Sequence, residues 1–126
     1  MAVRSREEFV AYGEGSVVPG GWPLNGTSVK YENQRIISAG SARLYGISGY
    51  NSLGAGQFVL LFDGTVLPAS GATAVVVIPV AATAGFSAYW GSVGRWFLQG
   101  IVVANSTTAP TLTLGAANCW FDAQFI

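Results

Sequence analysis

The sequence predicts an all-β chain, an antiparallel β-sandwich with an extended N-terminal arm, and three observations carry that prediction. From Ile36 onward, short apolar segments alternate with clusters of Gly, Asn, Ser and Pro at the spacing of sandwich or barrel strands. No helix of ten residues fits that stretch. The uncharged run Val75, Val76, Val77, Ile78 is β-branched throughout and favours strand over helix.

The elements follow in order. Ser5 and Glu8 have capping-box spacing, and Phe9, Val10 and Tyr12 give one sticky face to a short helix that Gly13 would end. Gly13, Gly15, Pro19, Gly20, Gly21, Pro23 and Gly26 then crowd too closely for any regular element. Residues 1–35 are therefore expected to be an extended arm, either ordering on a partner or a plain disordered terminus, and residues 36–126 a sandwich domain. Phe9, Tyr12 and Trp22, which stands between Gly21 and Pro23, are the arm's candidate partner-binding residues. Deleting Met1 to Asn33 is expected to leave a folded domain.

Arg43 to Tyr50 alternates, with Arg43, Tyr45 and Ile47 assigned to one face and Leu44, Gly46 and Ser48 to the other. Phe58 to Phe62 is apolar on both faces, so a second element or another subunit must cover what the core does not. Asp63 and Gly64 supply a turn. Ala72 to Val80 is flat and uncharged, an aggregation hazard as a free edge, and Pro79 limits its extension. Val75, Val77, Tyr89 and Trp90 are the candidate subunit-interface residues. Trp96 to Ala104 and Thr111 to Leu114 are further strands, with Trp96 and Phe121 expected in the core. In the last strand Cys119, Phe121, Ala123 and Phe125 share one face against Trp120, Asp122 and Gln124. A chain that finishes on Phe125 and Ile126 is expected to dock that strand in a sheet, and removing the two residues should cost several kcal/mol.

Charge is the scarcest commodity here. Only 10% of the 126 residues are Asp, Glu, Lys or Arg, against roughly a quarter in an ordinary soluble domain. Beyond Ile36 the charged residues are Arg43, Asp63, Arg95 and Asp122. A surface so poor in charge is expected to be packed against copies of itself and a larger assembly. Net charge is zero and Lys30 is the one lysine, which removes the electrostatic footprint of a nucleic-acid binder. The start of the chain lacks the apolar core of a signal peptide. Gly64 to Gly94 is long and uncharged, but its prolines, glycines and β-branched residues argue against a membrane helix.

Catalysis finds little support. Without histidine the usual serine and cysteine triads cannot be assembled, and zinc would have only Cys119 and scattered carboxylates, so no cofactor or metal is expected. A Ser–Lys dyad would need Lys30, in the irregular connector. Asp63 and Asp122 form the one carboxylate pair worth weighing, and turn and strand roles are favoured for them, with Asp122 facing outward or paired to Arg43 or Arg95. Cys119 alone cannot bridge internally and is expected as a buried thiol. The glycines before Trp22 lack the strand and the GK[ST] ending of a phosphate loop.

Leu44-Tyr45, Gly49-Tyr50-Asn51, Leu61-Phe62-Asp63, Leu67-Pro68, Ile78-Pro79-Val80, the segment from Gly100 to Thr107 and the aromatic last strand together resemble small β proteins among the virion genes of tailed bacteriophages. The resemblance covers about two thirds of the chain, from Ser41 onward, and its motifs encode turns and strand cores without an active site. It implies a jelly-roll-like capsid decoration, or cement, protein, a homotrimer made in the bacterial cytoplasm and bound to the major capsid protein on the virion surface. A tail or head-fibre module that binds a receptor glycan through exposed aromatics such as Tyr89 and Trp90 is the alternative it leaves open.

Overall fold

The computed structural model describes residues 23–126, and among them there are nine strands and no helix. In chain order these are β1 (Leu24–Thr27), β2 (Gln34–Ser38), β3 (Ala42–Asn51), β4 (Gln57–Asp63), β5 (Val76–Val80), β6 (Ala84–Tyr89), β7 (Arg95–Phe97), β8 (Ile101–Ser106) and β9 (Cys119–Phe125). Two antiparallel sheets result. The first has the order β1-β9-β3-β6, with β7 also on β3, and the second has the order β2-β8-β4-β5. Apart from the β4–β5 hairpin and the short β7, successive strands alternate between the sheets.

The core lies between them because each strand turns alternate residues inward. Leu44 and Ile47 of β3 and Phe121 and Ala123 of β9 meet Val59 and Leu61 of β4 and Ile101 and Val103 of β8, all buried. The doubly apolar β4 is covered twice, as its sequence demands. Its other face, Leu60 and Phe62, joins Val102, Ala104 and Leu112 in a second buried cluster, roofed by Ala72, Ala74, Ala109 and Leu114. That cover comes from the same chain. Segments 69–74 and 107–114 are cross-linked by Gly71 N–H to Leu112 C=O, Leu112 N–H to Ala72 C=O and Ala74 N–H to Pro110 C=O, at 2.8 to 3.1 Å.

Several expectations are corrected. Leu24–Thr27 is a strand of the first sheet, paired with Phe125–Asp122, so the sandwich-like domain takes in residues assigned to the arm. Glycine and proline density does not prevent pairing at a short edge strand, where a neighbour supplies the hydrogen bonds. Deletion through Asn33 would strip that edge, and Trp22 is the natural limit of a truncation. In β3 the register shifts between Leu44 and Gly46, and this bulge brings Ile47 to the same buried face as Leu44. Regular strand from Ala72 shrinks to Val76–Val80, and Thr111 and Leu114 make only isolated bridges. Pro79 sits where it does least harm, on the edge strand β5. Trp96 is exposed instead of buried, because Phe97 takes the inward position on the three-residue β7.

Between β7 and β8 the chain crosses from one sheet to the other through Leu98–Gly100. A side chain at Gly100 would overlap the carbonyl oxygens of Gly64 and Ser38, so only glycine fits that crossing.

The last strand is central, with β1 on one side and β3 on the other, and Ile126 extends the ladder by exchanging both backbone hydrogen bonds with Arg43, at 2.9 and 3.0 Å. Phe125 and Ile126 are half-buried. Removing both should lower unfolding free energy by about 2–4 kcal/mol in urea titration, less than for a fully buried pair.

Candidate functional site

The domain has two unlike ends. At the proximal end, where residues 1–22 join, Leu24 stands opposite Phe125, and Ser38, Asp63 and Ile101 come together in the second sheet. Loops there carry large apolar side chains into solvent. Val66 is 71% exposed, Val93 71% and Leu98 76%, with Leu67 and Trp96 also exposed. The connection that carries Leu98 is held firmly. Asp63 accepts hydrogen bonds from the backbone N–H groups of Leu98 (3.0 Å), Gln99 (2.8 Å) and Gly100 (3.3 Å). Burial alone would raise the Asp63 pKa, but those donors and the Arg95 charge outweigh it and hold the carboxyl below its ordinary value. Arg43 donates to the Val93 carbonyl at 3.3 Å and lies 5.1 Å from the Trp96 ring centroid and 5.8 Å from that of Tyr45.

At the distal end, Asn51, Gln57 and Asn105 are buried polar residues. Gln57 Nε2 donates to Asn51 Oδ1 (2.7 Å) and Asn118 Oδ1 (2.8 Å), and Asn105 Nδ2 donates to Gln57 Oε1 (3.0 Å) and to the Ala116 carbonyl (3.0 Å). Asn51 Nδ2 completes the web on the carbonyls of Ala55 and Ala81. Four separate segments are pinned together where the connections between sheets converge. Cys119 lies inside this web as a free thiol, and burial pushes its pKa up to about 11, so it stays protonated and unreactive at neutral pH.

Also distal, Glu32 exchanges backbone hydrogen bonds with Cys119, which places Tyr31 beside Trp120, and Trp120 pairs with Tyr50 across β9 and β3. Ser28, Val29, Lys30, Tyr31 and Trp120 line a shallow cleft of about 210 Å³. Glu32 beneath it accepts from Ser28 Oγ and from Arg35 Nε, the latter at 2.8 Å. Next to the aromatic row runs a polar one: Thr27 opposite Asp122 opposite Ser48, with Thr27 Oγ1 donating to Asp122 Oδ1 at 2.8 Å. Asp122 thus faces outward as expected, but its partner is Thr27 instead of Arg43 or Arg95.

Of the residues singled out from sequence, Phe9, Tyr12 and Trp22 lie outside the described residues. Val75, Val77 and Tyr89 are exposed, but Val75 and Val77 face out of the second sheet at its edge strand β5, whereas Tyr89 faces out of the first sheet at its edge strand β6 and lies over Gly46. Trp90 departs from them, packing partly buried against the main core while its N–H donates to the Tyr45 carbonyl. The row of Tyr31, Trp120 and Tyr50 was not foreseen, since its members come from three distant segments. Among the described residues no three potential ligands gather to hold a metal ion, and no helix is long and apolar enough to cross a membrane. No family model, no curated protein and no solved structure matches the chain.

Proposed function

We propose that the chain is a structural protein of a tailed-bacteriophage virion, a capsid decoration (cement) protein that binds the outer surface of the major capsid shell. One observation carries this: Val66, Leu67, Val93, Trp96 and Leu98 are exposed to solvent at the same end as Leu24, where the described residues begin. A free-standing domain gains nothing from presenting these side chains to water; a partner that covers them removes apolar surface from solvent, the main driving force of association. Of the few charges nearby, Asp63 accepts from backbone donors, Arg43 reaches the Val93 carbonyl and the Trp96 ring, and Arg95 lies over the Phe97 ring.

The proximal end and the arm, through Phe9, Tyr12 and Trp22, grip the shell together. Each copy adds apolar contact across a joint between capsomers, and many copies acting at once resist the pressure of packed DNA. A jelly-roll assignment is supported by the strand order, in which a five-strand and a four-strand layer receive successive strands alternately, apart from the β4–β5 hairpin and the short β7. A homotrimer is supported by the exposed Val75 and Val77 at the unpaired edge strand β5: a closed ring hides an edge that would otherwise pair without limit.

Co-sedimentation with capsid shells of the virus that encodes it tests the proposal. Deleting Met1 to Trp22, or combining Val66→Ser with Leu98→Ser, should leave a folded domain that binds shells at least about tenfold more weakly. Wild-type binding by both variants would contradict it.

A further inference from the structure

We propose that the distal end carries a second binding site, for a neutral oligosaccharide, formed by the row of Tyr31, Trp120 and Tyr50. This goes beyond the shell-binding role, because the row lies on the outer face of the first sheet near its distal end, away from the apolar side chains of the proximal end.

The chemistry of a sugar is written in two parts, and both are met here. A pyranose ring has an apolar face of C–H groups and a rim of hydroxyls, so its site needs flat aromatic surface beside fixed hydrogen-bonding groups. Tyr31 is 47% exposed and Trp120 37% exposed, each presenting ring surface to solvent, with Tyr50 next to Trp120 on the neighbouring strand. The cleft between Trp120 and the Ser28–Tyr31 loop, about 210 Å³, suits one ring at a time. Thr27, Asp122 and Ser48 form the adjacent row, two residues further along the strands, about 7 Å away. Hydroxyls of a chain laid over the aromatic row reach this polar row, while Lys30 at the lip of the cleft supplies further donors.

Charge complementarity narrows the ligand class. Asp122 and Lys30 are the charged groups flanking the aromatic row, one of each sign, and Glu32 is taken up by Arg35 and Ser28. A polyanion would find one lysine against one carboxylate, so an uncharged glycan fits where a sulfated or phosphorylated one does not.

The site is held in place from below. Trp120 lies between Cys119 and Phe121, both fully buried, and the loop is tied down by Ser28 N–H to Phe121 C=O (2.8 Å) and Phe121 N–H to Ser28 Oγ (3.0 Å). Aromatic rings fixed before binding lose little conformational entropy on meeting a ligand.

The test uses the full chain in saturation-transfer NMR and calorimetry against maltotetraose, cellotetraose, mannotetraose and chitotetraose, with a heparin-derived tetrasaccharide as the polyanionic control. At least one neutral tetrasaccharide should bind. Trp120→Ala and Tyr31→Ala should each weaken it by about tenfold, Trp120→Phe should keep most of the affinity, and Leu98→Ser at the other pole should change nothing. Tyr31 lies in a loop outside the strands, so its variant remains informative if Trp120→Ala fails to fold. Binding of none of the neutral probes, binding of the heparin probe alone, or unchanged affinity in folded Tyr31→Ala would overturn the proposal. Shell co-sedimentation of Tyr31→Ala should equal wild type, which separates failure here from failure of the shell-binding role.

Discussion

Phe121→Ala should lower the unfolding free energy by about 3–5 kcal/mol, the range for emptying a buried phenylalanine site. Phe121 is fully buried at the centre of β9, the strand that joins β1 to β3, and its ring meets Phe86 edge-on with centroids 6.4 Å apart. Gly49, its cross-strand partner, has no side chain of its own to fill the space, and the Phe86 ring lies where one would stand. For a domain of this size total stability is about 5–15 kcal/mol, so the variant retains between a small fraction and most of it. Urea titration followed by tryptophan fluorescence measures the change, and a loss below about 1 kcal/mol would show that the ring is not a core element.

Asn105→Asp should be as damaging at neutral pH, by about 3–5 kcal/mol, through electrostatics instead of volume. Asn105 is fully buried, and its Nδ2 faces three acceptors: Gln57 Oε1, the Ala116 carbonyl and Asn118 Oδ1. An ionised carboxylate in that position sets negative charge against all three and has no cation beside it in the web. Its pKa in the folded state is therefore raised above that of the unfolded chain. The sign follows: the deficit relative to wild type is smallest below the unfolded pKa, about 4, and grows as pH rises through the folded value. Thermal unfolding of both proteins at matched pH values from 3 to 8 measures it, and a deficit independent of pH would mean that shape alone is responsible.

Much of this fold is legible in the sequence. The doubly apolar Phe58–Phe62 segment demands two covers and receives them, and the alternation from Cys119 to Phe125 marks a docked strand whose inward face the structure preserves. What local pattern could not supply is pairing. Leu24–Thr27 looks like connector because its order comes from β9, about a hundred residues away in the chain. The bulge in β3 is set by the neighbouring β9, so the side assigned to Ile47 came out inverted. Trp96 has the bulk of a core residue, but one place on so short a strand faces inward and Phe97 occupies it.

The candidate sites were harder to read for a related reason. Asn51, Gln57 and Asn118 lie far apart or in different local contexts along the chain, and only the meeting of four connections makes them a buried web. Tyr31, Trp120 and Tyr50 carry no shared motif. Their row exists because β9 lies between β3 and the segment that follows β1. Scarcity of charge, by contrast, is plain from composition, and the structure shows its consequence: large apolar side chains stand exposed at both ends, Val66, Leu67, Val93, Trp96 and Leu98 at the proximal one and Val29, Tyr31 and Trp120 at the distal one.

The proposed adhesion to a tailed-bacteriophage capsid is tested most directly by co-sedimentation of the full chain with such shells across sodium chloride from 0.05 to 1 M. Apolar adhesion predicts that the bound fraction stays nearly constant, since ionic screening has little to act on. A steep fall in binding with salt, or no binding at any salt, would contradict the account.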